Sequence, residues 1–136
     1  MTSPTVSAVL FDLDGTLIDT APEFIHIGLQ LRTEAGLPPI DAKAIWHSVS
    51  NGALGMVEAA LEMSAEDPDF EQWRQRFLAL YETGLGDLSH PYPRLPELVA
   101  GLHDAGVAWG VVTNKLSRFA LPLMNKMPFD PAAGAV

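Results

Sequence analysis

The sequence predicts an α/β protein with a parallel sheet. Two apolar runs, Ala8-Val9-Leu10-Phe11 and residues 107–112, each stop abruptly at polar residues and lead into a helical stretch. Between them lies an all-helical middle, residues 20–89. Continuous apolar runs of this length read as strands buried on both faces. Strands alternating with helices argue for a parallel sheet, whose ligand site lies beyond the carboxyl ends of its strands.

The elements follow in order. Residues 2–7 form a short polar lead-in to the first strand. Asp12-Leu13-Asp14-Gly15-Thr16 is a loop in which Gly15 permits an unusual backbone angle. Thr20 and Pro22 suit a helix start, and the apolar face of Phe24, Ile25, Ile27, Leu29 and Leu31 runs to a stop at Gly36. Asp41 starts a second helix over 42–49. Ser50-Asn51-Gly52 interrupts it, and a helix resumes over 53–63. Phe70, Trp73, Phe77, Leu80 and Tyr81 recur at helical spacing up to Gly84. The proline-rich segment 90–96 reads as a domain boundary. A helix over 97–105 precedes the second strand. Another follows from Ser117 to Lys126, with a kink expected at Pro122. Residues 128–136 trail off, and 132–136 could open a third strand.

Composition narrows the function. The 136 residues carry 8 Lys plus Arg against 17 Asp plus Glu, a net charge of −9. Nucleic-acid backbones reward clustered cations, so no nucleic-acid partner is expected. With 48% hydrophobic and 18% charged residues the chain should pack a core. No apolar run is long enough to span a bilayer, and no membrane partner is expected. With no cysteine there is no disulfide framework or thiolate nucleophile. The N-terminus lacks a basic region followed by an apolar stretch, so a cytoplasmic location is expected.

The sharpest feature is the pair Asp12 and Asp14 leaving a buried strand together. Their mutual repulsion calls for a cation, and Mg²⁺ is a hard ion that takes one or two carboxylates plus water and phosphate oxygens. A carboxylate at a strand end can also attack phosphorus. The second strand ends in Thr113-Asn114-Lys115, so the geometry predicts a site built from these two loops. An Asp-x-Asp-Gly stretch is often only a solvated turn. A calcium EF-hand is excluded, because it places its glycine later and follows a helix. His26, His47, His90 and His103 share no metal-ligand spacing, and the Phe70–Tyr81 stripe reads as helical core. Lys115 and Arg118, close to a helix start, could meet a substrate anion or lie solvated on the surface.

Asp12-Leu13-Asp14-Gly15-Thr16-Leu17 with its apolar lead resembles the first motif of the haloacid-dehalogenase (HAD) superfamily. Gly110-Val111-Val112-Thr113-Asn114-Lys115 resembles the second. The helical insertion resembles that superfamily's cap, and Pro91-Tyr92-Pro93 with Pro96-Glu97-Leu98 resembles the return to its core. The match is closest to the phosphoglycolate-phosphatase-like group. Within that group, Trp109 to Lys115 with Arg118-Phe119-Ala120 and Pro122 is similar to bacterial N-acetylmuramic acid 6-phosphate phosphatases.

The resemblance implies an HAD-like, Rossmannoid parallel-sheet core (1–19 and 90–136) with an inserted helical cap (20–89). It implies Mg²⁺-dependent hydrolysis of a small phosphorylated acid or sugar. Asp12 would be the nucleophile that forms an aspartyl-phosphate, and Asp14 the general acid and then base. Asp12 and the Asp14 backbone carbonyl would hold Mg²⁺. Thr113, Asn114 and Lys115 would bind phosphate, and the cap would select the leaving group, with Ser50-Asn51-Gly52 as the selecting segment. The superfamily also needs a later Lys and an acidic pair. Downstream of Lys115 only Lys126 and Asp130 are candidates, so a C-terminally truncated chain with an incomplete core is expected. Two alternatives stay open: a non-catalytic fragment or pseudoenzyme that binds Mg²⁺, phosphate or a partner chain, and a phosphomutase on the same scaffold. A dehalogenase suits the residues less well, because Asp14 has no clear use in that chemistry.

Overall fold

The computed structural model describes residues 5–136; the first residues of the lead-in, 2–4, lie outside the described residues. The chain divides into two compact units, 1–19 with 90–136, and Thr20–Ser89.

The first unit is built on two strands, β1 (Ala8–Phe11) and β4 (Ala108–Val111), paired in parallel with Ala8 opposite Ala108 and Phe11 opposite Val111. Helix α5 (Leu95–Asp104) precedes β4 and packs against it; α6 (Ser117–Lys126) follows. Trp109 lies edge-on to Phe11, with ring centroids 6.1 Å apart, and 5.4 Å from Phe129. Its indole N–H donates to the Pro131 carbonyl at 3.1 Å. The α6 residues Phe119, Ala120 and Leu123 are buried.

One expectation needs correction here: β1 is not buried on both faces, since Leu10 is 65% exposed, whereas Trp109 and Val111 on β4 are buried. Ala8, Leu10, Ala108 and Gly110 share one face of the ladder, and most of their side chains are too small to close it. Ile18 and Asp19 form a short strand, β2 (Ile18–Asp19), antiparallel to β3 (His90–Pro91), which lies in the segment read as a proline-rich boundary. A two-residue ladder has no alternation to read, so periodicity could not reveal it. Helix α6 includes Pro122 within its span.

The tail does not simply trail off. Gly134 N–H donates to the Trp109 carbonyl and Val111 N–H to the Ala135 carbonyl, both at 2.9 Å. Ala108 and Val112 donate toward β1, so alternation turns Trp109 and Val111 to the other edge of β4, where the tail lies. Gly110 permits this approach, because a Cβ there would stand 3.1 Å from the Ala135 carbonyl oxygen.

The second unit is helical: α1 (Ala21–Glu34), α2 (Lys43–Trp46), α3 (Gly52–Leu61) and α4 (Phe70–Thr83), with a 3₁₀ turn at Val49–Asn51. Helices α1, α3 and α4 pack on one another. Phe24 stacks on Phe77 at 5.6 Å and lies 5.0 Å from Tyr81. The break at Ser50-Asn51-Gly52 is real, with Gly52 at φ 64°. The helix expected over 42–49 is shorter, and Asp41 accepts the Lys43 N–H at 2.8 Å near its start. Thr20 precedes α1 but makes no side-chain capping bond. Two charged residues are buried here. Glu23 accepts the Gly86 N–H at 2.8 Å and the Ser89 hydroxyl. Arg32 donates to the Pro38 and Ala60 carbonyls and to Glu62.

Candidate functional site at the strand ends

The loop after β1 is a tight, buried-core turn. Gly15 N–H donates to the Ile18 carbonyl at 2.9 Å, and Ile18 N–H to Leu13 at 3.1 Å. Leu13 and Leu17 are fully buried, and they pin the loop from inside. Gly15 sits at φ 76°, a conformation that costs other residues strain. Alternation around the buried Leu13 leaves Asp12 and Asp14 pointing away from the core. Asp12 is exposed, and its Oδ1 accepts the Leu13 N–H at 2.8 Å.

The second loop begins where Val112 N–H donates to the Phe11 carbonyl at 2.8 Å, so the two strand ends lie side by side. Thr113 is half-buried, and its Oγ1 accepts the Lys115 N–H at 3.1 Å. That bond turns the backbone back toward the first loop. Lys115 Nζ then reaches Asp14 Oδ1 at 2.8 Å. The Lys115 side chain is only 6% exposed, against 34% for Asp14. The structure therefore brings Asp14 and Lys115 together across 101 residues of sequence. Asn114 is exposed on the same loop. Arg118 stands over the Phe119 ring at 4.6 Å. A cavity of about 300 Å³ lies beside this loop, lined by Val112, Thr113, Lys115, Ser117, Leu121 and Val136 among others.

Sequence reasoning found the two loops but missed the ion pair between them. The usable signal was faint: a Lys two residues past a strand-ending Thr, opposite an acid on the neighbouring strand. Among the described residues no cluster of three or more acidic or histidine side chains could hold a metal. The exposed carboxylate of Asp12 is still a hard oxygen donor of the kind Mg²⁺ takes, and Mg²⁺ needs only one or two of them beside water and phosphate. The residues present fit that ion as a partial ligand set. No helix among the described residues is long and apolar enough to cross a membrane.

A two-stranded parallel ladder with acids at one strand end and Thr-Asn-Lys at the other defines a class, and the comparisons show which. The model of the haloacid dehalogenase-like hydrolases matches residues 6–135, and the chain belongs to that family. The fold is HAD-like, with an incomplete Rossmann-like sheet and a helical cap. Solved structures share it: a predicted phosphoglycolate phosphatase from Haemophilus somnus superposes with TM-score 0.79 at 23% identity, over 96% of this chain and 61% of that one. A haloacid dehalogenase-like family protein from Streptococcus pneumoniae gives 0.73 at 21%, over 96% and 60%.

Among relatives, an N-acetylmuramic acid 6-phosphate phosphatase from Pseudomonas aeruginosa is 48% identical over 91% of this chain and 55% of its own length. A phosphoglycolate phosphatase from Agrobacterium fabrum is 34% identical over 93% and 56%. The chain thus spans about half the length of the curated relatives it matches.

Proposed function

We propose that this chain carries the nucleophile and the proton carrier of a phosphomonoester hydrolase. The observation that supports it best is the 2.8 Å contact that joins the Asp12–Asp14 loop to the Thr113–Lys115 loop. In this reading Asp12 attacks phosphorus while the ester P–O bond breaks and Asp14 gives its proton to the departing oxygen. Asp14 next takes a proton from water, whose oxygen attacks phosphorus as the Asp12–phosphorus bond breaks and phosphate leaves. Thr113 donates to the phosphoryl oxygens, and Asn114 shapes that pocket. Asp12 and the Asp14 backbone carbonyl would hold Mg²⁺, which supplies positive charge against the phosphoryl oxygens.

The unit 1–19 with 90–136 acts as the catalytic core, and 20–89 as the cap that selects the leaving group, with the Ser50-Asn51-Gly52 break as the selecting segment. The substrate is a small phosphorylated acid or sugar. The greater identity to N-acetylmuramic acid 6-phosphate phosphatases, 48% against 34%, favours the sugar. Its place of action is the cytoplasm.

A second reading, a Mg²⁺- or phosphate-binding unit without turnover, is favoured by the lack, among the described residues, of any group of three or more acidic or histidine side chains that could hold a metal ion. Phosphate release with Mg²⁺ from N-acetylmuramic acid 6-phosphate and from 2-phosphoglycolate separates the two. Asp12→Asn should cost about 10³-fold or more in turnover, as loss of a nucleophile does. A folded chain that releases no phosphate above the Asp12→Asn control would leave only the second reading.

A further inference from the structure

We propose that Lys115 positions the Asp14 carboxylate and is not a ligand of the substrate's phosphate. The proposal rests on Asp14 as the proton carrier. A carboxylate on a loop turns about two side-chain torsions, and proton transfer to a leaving oxygen requires that it stay aimed. Three features aim it here. Leu13 and Leu17, both fully buried, anchor the backbone on either side. The Gly15 N–H to Ile18 bond closes the loop just beyond Asp14. The ammonium of Lys115, fixed at 2.8 Å on Oδ1, then holds one carboxyl oxygen in place.

Lys115 is itself constrained. Its backbone is pinned by the Thr113 hydroxyl at 3.1 Å, and its side chain is 6% exposed. An ammonium that far from water demands a hydrogen-bond acceptor, and Asp14 Oδ1 at 2.8 Å is one. An ammonium has three N–H donors and no acceptor, so it can steer Asp14 but cannot take a proton from water in its place.

The test is a leaving-group comparison on the whole chain. Lys115→Gln should lower kcat/KM on N-acetylmuramic acid 6-phosphate, which reports the first transfer alone, about 10- to 100-fold, the cost of losing the aim of a catalytic group. It should spare kcat/KM on p-nitrophenyl phosphate, whose leaving group needs no proton in that transfer. Lys115→Arg should recover part of the loss. An equal fall in kcat/KM on both esters, or no change on either, would overturn the proposal.

If the folded wild-type chain turns over neither ester, the hydrolase reading fails for it, and a second measurement decides the role of Lys115. The chain has three lysines, Lys43, Lys115 and Lys126, so side-chain NMR of a lysine-labelled sample resolves each ammonium. Asp14→Asn should shift the Lys115 signal, whereas inorganic phosphate should leave it in place. A saturable shift with phosphate, or no response to Asp14→Asn, would overturn the proposal.

Discussion

The two units solve the problem of polar groups differently. The helical unit buries charge and satisfies it internally. Glu23 takes a backbone N–H and a hydroxyl from the 86–89 segment, and Arg32 ties α1 to two carbonyls and to Glu62. Its aromatic centre, Phe24, Phe77 and Tyr81, is closed. The α/β unit keeps its charged groups at the strand ends, with Asp12 in solvent and Asp14 partly so. It also leaves apolar residues on and beside its strands uncovered: Val6 is 65% exposed, Leu10 65% and Val112 60%. A region whose polar groups bond one another is built for stability. One whose carboxylates face outward beside a largely covered lysine side chain leaves polar groups available at the surface.

The largest stability effect should come from the helical core. Phe77→Ala removes a fully buried ring and should cost about 3–5 kcal/mol in urea unfolding. A loss of under 1 kcal/mol would show that this core is loosely packed and would weaken the contrast. Glu23→Ala comes next. It leaves the Ser89 hydroxyl and Gly86 N–H without their carboxylate and should cost about 1–3 kcal/mol.

The Glu34–Arg76 pair is smaller. The Arg76 guanidinium, then the Gln30 amide, hold the Glu34 carboxyl down at about 2 from its ordinary 4.5. Because the folded value is the lower one, the contribution is fully present above pH 4.5 and fades as pH falls toward 2. Arg76 is 46% exposed, so screening keeps the effect below about 1 kcal/mol. The stability gap between wild type and Glu34→Gln should therefore narrow between pH 4.5 and 2. A gap that stays constant over that range would remove the pair's role. Smallest of all, Leu10→Ser on the open strand face should change unfolding by about 0.5 kcal/mol or less. A cost near that of Phe77→Ala would mean the face is covered in solution.

The candidate site was legible because its signals are local. Asp12, Asp14 and Gly15 sit within four residues, directly after an apolar run. Thr113 and Asn114 repeat the pattern at the other strand. Helices α1 and α4 were equally plain, since an apolar stripe repeating with the turn of a helix is visible over 14 residues. The β2–β3 ladder was not, because two residues on each side carry no period.

By itself the sequence determined the two strands, the helical middle and the pair of polar strand ends, all through short-range pattern and residue chemistry. Tertiary structure alone decided three things. It placed the tail along β4 through Gly134 and Ala135, left one face of β1 open, and set Lys115 on Asp14. Each of these depends on which segments meet after the chain has turned in space, and composition along the chain does not encode that distance.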